Sequence, residues 1–159
     1  EPTSGSGSTA VSIRIVNGPL DYENHNNRKF IILVVAQETE TQEKLSSTAT
    51  VTIEITDAND NSPVFDQEAY TASVDETALP GDPITTITAT DTDTGSFGTK
   101  GIIYQLIGPG TEKFNVNKKS GVISVAPCEL PGAQHCLDFE TKPVYYLNYK
   151  ATDDDGNGH

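Results

Sequence analysis

The stretch "DANDNSPVF", residues 57–65, sets Asp57, Asn59, Asp60 and Asn61 close together and follows them with Pro63. So polar a run cannot enter an apolar core. Asp, Asn, Ser and Pro all form turns, so an ordinary turn is one reading. A cluster of oxygen ligands for a hard cation is the other. The rest of the chain bears on the choice.

The 159 residues leave room for one domain or two small ones. They are 35% hydrophobic, include no Trp or Met, and carry a formal charge of −13. That charge argues against nucleic acid and anionic membrane as partners, because both repel acid, and it suits cation binding. No apolar run reaches membrane-spanning length and no signal peptide is present, so the fragment is expected to be soluble as given, which leaves room for a membrane reached through a transmembrane segment of a longer parent chain.

Period-two alternation marks the strands. In "TATVTIEIT" (48–56), Ala49, Val51, Ile53 and Ile55 share a face. In "FIILVVA" (30–36) Phe30, Ile32, Val34 and Ala36 do so, and in "YYLNYKA" (145–151) Tyr145, Leu147, Tyr149 and Ala151. Shorter candidates are 12–16, 70–74, 84–90, 102–106, 113–116 and 121–125. Many short strands rich in Thr, Val and Ile, separated by Gly, Pro and Asn/Asp, indicate an antiparallel sandwich. Cys128 and Cys136 bracket "CELPGAQHC". They are a disulfide or two free thiols. The strand–turn–strand pattern and the acidic, Thr-rich β composition favour the disulfide, worth about 2.5 kcal/mol on the chain-entropy model.

The chain also repeats itself. "LDYE" (20–23) returns as "LDFE" (137–140), and "VVAQE" (34–38) as "YKATD" (149–153). Phe30, Ile32, Val34 and Ala36 fall on Tyr145, Leu147, Tyr149 and Ala151, and acids recur with them, Glu23 with Glu140 and Glu38 with Asp153. A mere turn would not demand that. The sequence therefore reads as the latter part of one module, a whole joint at "DANDNSP", and most of a second module.

These marks, with "SVDE" (73–76), "ATDTDTG" (89–95) and "KATDDDG" (150–156), resemble the cadherin superfamily, in the family's order and over nearly the whole chain. The resemblance implies an all-β fold of tandem Greek-key seven-stranded β-sandwiches, the first truncated at its N-terminal side. Residues 1–61 would be the C-terminal part of one repeat with its calcium-binding linker. Residues 62–159 would be a second repeat lacking its final strand and downstream linker. It further implies the extracellular side of the plasma membrane. The partners implied are other cadherin ectodomains, homophilic or heterophilic, or adjacent repeats of the same chain.

Carried over residue by residue, the resemblance implies up to three Ca2+ ions at the joint. Asp21, Glu23, Asp57 and Asp60, with Asp93, would serve an outer pair. That pair lacks the Glu of the first module's opening strand. Asn59, the carbonyl of Asn61, Asp91, Asp93 and Asp153 would serve the ion on the second module's side. Ala58 and Phe97 can offer main-chain carbonyls, Phe97 standing where the family often has Asn. Glu38 would belong to an upstream joint. Glu76, Asp138 and Glu140 would belong to a downstream one, and are expected here as solvated acids. Outward Thr50, Thr52, Thr86, Thr88 and Thr90 resemble the family's O-linked sugar sites, although β propensity explains them equally well.

The expected function is mechanical: calcium turns a flexible tether into a stiff rod. The alternative is a recognition module for a soluble ligand, a toxin or a heterophilic partner. An EF-hand is excluded, since "DTDTGSFGTKGI" (91–102) has Gly fifth and Ile twelfth. An enzyme is not expected. His25 lies in a polar run, His135 in the Cys-bracketed turn and His159 at the end, and no GxSxG, Walker or HExxH motif occurs.

Overall fold

The computed structural model describes residues 12–130 and 132–159. Among them the regular elements are nine strands and four single 3₁₀ turns, with no α-helix. The fold is all-β. Its contacts divide the chain after Thr56 into two units.

In the first unit β1 (Lys29–Gln37) and β2 (Ser46–Glu54) form one antiparallel ladder, from Lys29 opposite Glu54 to Gln37 opposite Ser46. This register sets Phe30, Ile32 and Val34 beside Ile53, Val51 and Ala49 on one face. Upstream, the Asp21 carboxylate accepts the backbone N–H groups of Glu23 (3.0 Å) and Asn24 (3.2 Å). The Arg28 guanidinium lies 4.2 Å from the Tyr22 ring centroid.

The second unit holds β3 (Val64–Phe65), β4 (Pro83–Thr86), β5 (Ala89–Thr90), β6 (Ile103–Ile107), β7 (Phe114–Val116), β8 (Val122–Val125) and β9 (Asn148–Thr152). They pair as β3–β5, β4–β8–β7 and β6–β9, all antiparallel. Ile87, Phe114 and Ile123 form one buried cluster, with Leu106, Tyr145, Leu147 and Tyr149 packed against it. Side chains from the β7–β8 side thus meet those from the β6–β9 side, as in a sandwich.

Tyr149 is the centre of this core. Its ring stacks on Tyr104 with centroids 5.5 Å apart and tilts against Phe65 at 5.7 Å. Its hydroxyl hydrogen is shared between the carbonyls of Ile87 and Gly121, each 3.2 Å away. Gly121 has φ +71°, and a Cβ there would run into the Ile87 carbonyl, so this bracket requires glycine. Burial, followed by the neighbouring Tyr104, pushes the Tyr149 phenol above its usual range.

Four details depart from the sequence expectation. Residues 12–16 and 70–74 are not strands, and 145–147 lie before β9. Alternation supplies a face, but a strand also needs a partner backbone, and none pairs with 12–16 or 70–74 among the described residues. The run 84–90 is two strands: a register shift near Pro83–Thr85 accompanies pairing of β4 with β8, and β5 then pairs with β3. By contrast, the disulfide that the sequence favours is present: Cys128 and Cys136 are bonded, with Cα atoms 4.8 Å apart.

Removing this bond with Cys128→Ser should lower unfolding free energy by about 2.5 kcal/mol in urea titrations. Tyr149 binds its proton more tightly folded than unfolded. Stability should therefore fall as pH rises past ~10. Tyr149→Phe should flatten that slope and cost about 1 kcal/mol at neutral pH for the lost hydrogen bond, read by chemical denaturation across pH 8–11.

Candidate metal centre

The D-x-D spacing of Asp91 and Asp93 makes a tight local turn, in which Asp91 Oδ1 accepts the Asp93 N–H at 2.9 Å. Thr99 fixes its base: its hydroxyl accepts the Asp91 N–H (2.8 Å) and donates to the Asp91 carbonyl (3.0 Å). Gly98 permits the loop to close, because a Cβ there would overlap the Asp93 carbonyl. Asp93 is buried and receives two donors from Asn61, the backbone N–H at 3.1 Å and the amide Nδ2 at 2.5 Å. Asp153, just past β9, is 0% exposed, and its Oδ1 accepts the His159 N–H at 2.6 Å.

One carboxylate oxygen from each of Asp91, Asp93 and Asp153 lies within 4.8 Å of the others. The protein donors meet both Asp93 oxygens and one each of Asp91 and Asp153, and leave the remaining two open. Asn59 Oδ1, Asp91 Oδ2 and Asp153 Oδ2 are buried with no hydrogen-bond partner among the described residues. Buried oxygens in that state cost several kcal/mol each unless a positive group meets them. Burial, then the charges of Asp93 and Asp153, push the Asp91 carboxyl above the ordinary range. A cluster of oxygens without thiolate matches a hard divalent cation, calcium or magnesium.

Around this core, Asp57 Oδ2 accepts the Thr94 N–H (2.7 Å) and hydroxyl (2.5 Å). Asp60 is exposed and accepts the Asn61 amide at 2.9 Å. Ala58 is exposed, and Phe97 is half-buried within the 93–98 loop. That loop is held by Asp154, whose N–H reaches the Ser96 carbonyl at 2.8 Å. Asp57, Asn59, Asp60, Asn61, Asp91, Asp93 and Asp153 thus all belong to the second unit, and Asp21 and Glu23 to the first.

Glu76, Asp138 and Glu140 are exposed, as expected of solvated acids, but they are not independent. One oxygen of each lies within 4.8 Å of the others, and Glu76 accepts the Phe139 N–H at 2.9 Å. The Thr141 hydroxyl and N–H hold the Asp138 carboxyl below its usual range. Glu38 is exposed and accepts the Thr41 hydroxyl at 2.6 Å. His25 and His135 are exposed.

Thr94, Thr99, Ser96 and the His159 main chain were not marked by the sequence. A hydroxyl or an N–H that holds a carboxylate leaves no periodicity or spacing to read. The only trace for Thr94 is its place directly after the D-x-D pair.

The family profile described as Cadherin domain matches residues 70–159. Cadherin-87A of Drosophila melanogaster is 52% identical over 159 residues, all of this chain and 8% of that protein. Human Cadherin-23 is 38% identical over 145 residues, 91% of this chain and 4% of that protein. The chain thus spans less than a tenth of these relatives. Among solved structures, mouse clustered protocadherin PcdhgC3 EC1-3 matches with TM-score 0.75 and 28% identity, over 91% of this chain and 43% of that one. Mouse Cadherin-23 EC22-24 matches with TM-score 0.72 and 35% identity, over 89% and 40%.

If the open oxygens hold a cation, calcium should raise the melting temperature, with about 2.7 kcal/mol of stabilisation at a hundredfold excess over Kd. Asp153→Asn should remove most of that rise and should stabilise the chelated protein, because one of three like charges is gone. Calorimetry in calcium and in chelator reads both.

Proposed function

We propose, from the premise that this chain belongs to the cadherin family, that it is a calcium-stiffened segment of an adhesion ectodomain. Cadherin repeats are extracellular, non-enzymatic adhesion modules, and calcium binding is typical of the family. Among the described residues no helix is long and apolar enough to cross a membrane.

The observation that carries the reading is the set of buried, unpartnered oxygens on Asn59, Asp91 and Asp153. Calcium supplies two positive charges and six to eight positions for oxygen. Asp91, Asp93 and Asp153 would offset its charge, and Asn59 and the Asn61 carbonyl would add oxygens without adding charge. Asp57 and Asp60, with Asp21 and Glu23 of the first repeat, are the proposed donors for further ions. Thr94 and Asn61 hold Asp57 and Asp93 in place before a cation arrives, which lowers the entropy lost on binding. Extracellular modules of this kind bind at ~10⁻⁴ to 10⁻³ M. Ambient calcium would then keep the segment stiff.

Small-angle scattering in millimolar calcium and in chelator tests the proposal. The chelated chain should show a broader spread of dimensions and a changed maximum dimension. Identical curves would refute it.

A further inference from the structure

The two copies of the repeated strand keep one side apolar or aromatic and differ in polarity on the other. Phe30, Ile32 and Val34 of β1 match Tyr145, Leu147 and Tyr149, which pack on the core of the second unit. By that match the opposite side of β1 faces away from its own module's core. In the second copy this outward side carries Tyr146, Asn148 and Lys150, all exposed. In the first it carries Ile31, Leu33 and Val35, which are 66%, 66% and 60% exposed. The register sets Thr52, Thr50 and Thr48 of β2 opposite them. The result is a flat aliphatic stripe flanked by hydroxyl groups, with charge only at one end, where Lys29 pairs with Glu54 at 3.1 Å.

From this face we infer a homotypic contact: β1 of one copy lies against β1 of a second copy, face to face and antiparallel. A two-fold axis between the faces, crossing the strands at their midpoint, sets Leu33 against Leu33 and Ile31 against Val35. Thr50 then meets Thr50. The same axis sets Lys29 against Gln37 and Glu54 against Ser46, so no like charges meet although each chain carries −13. Self-complementarity of this kind is what a two-fold interface requires, and residues 29–37 with 46–54 satisfy it unaided.

The face is small. Nine residues on each of two strands cover roughly 300 Å², against ~800 Å² per partner in stable complexes. The contact is therefore weak singly, with Kd on the order of 10⁻⁴ M or weaker, and gains strength where many copies sit side by side. It is independent of the metal reading, because none of its residues is a proposed ligand.

Sedimentation equilibrium of the full ectodomain that contains this chain, prepared without O-linked sugar and held in millimolar calcium, tests the contact. Wild type should show dimer in the sub-millimolar range. Leu33→Lys should weaken it at least tenfold by setting two like charges on the axis, and Leu33→Thr, which keeps β propensity, should weaken it with an unchanged circular dichroism spectrum. Mixing Leu33→Lys with Leu33→Asp chains should restore it. A wild type that stays monomeric, a dimer that survives Leu33→Lys and Leu33→Thr, or a mixture that fails to associate would each overturn the inference.

Discussion

Three carboxylates held within 4.8 Å of one another, two of them buried, are an electrostatic debt that the fold does not settle alone. Donors from Asn61 and His159 answer part of the charge on Asp93 and Asp153, and Asp91 is answered by the backbone N–H of Asp93. What is left is a set of oxygens that face one another. A protein that merely needed a turn here would expose those oxygens to water. Keeping them under cover is the feature on which the proposed cation clasp rests.

The supporting structure is ordinary β physics. The sandwich of the second unit fixes the ends of β5 and β9, and the acids stand directly beyond those ends. Tyr149 ties the two sides together by stacking on Tyr104 and by its hydroxyl, held between the Ile87 and Gly121 carbonyls. The acids are thus placed by elements whose own register is fixed by buried aromatic contacts.

Much of this was legible in the sequence for a physical reason. Alternation is a direct imprint of a half-buried strand, so β1, β2 and β6 to β8 could be read to within a residue or two. Asp153 was legible because an acid, Glu38, stands at the matching place after the repeated strand, and the other acids because their motifs resemble a known family. What escaped was everything that depends on a partner. The run 84–90 looks continuous, yet it serves two sheets, and nothing in its letters says where the partner changes. Residues 70–74 alternate as well as β8 does but find no ladder among the described residues. Thr94 and Thr99 hold carboxylates and the loop base through single hydroxyls, a role that any Thr in a β-rich chain could have had. The gathering of Glu76, Asp138 and Glu140 also depends on two segments far apart in sequence, which no local pattern reports.

The bridge between Cys128 and Cys136 has a consequence for how this lineage can change. It pinches residues 128–136 into a ring hung between β8 and β9, with Leu130 75% exposed at its rim. The bond fixes the ends of that segment with their Cα atoms 4.8 Å apart, so substitutions within it that spare both cysteines leave this closure between β8 and β9 in place.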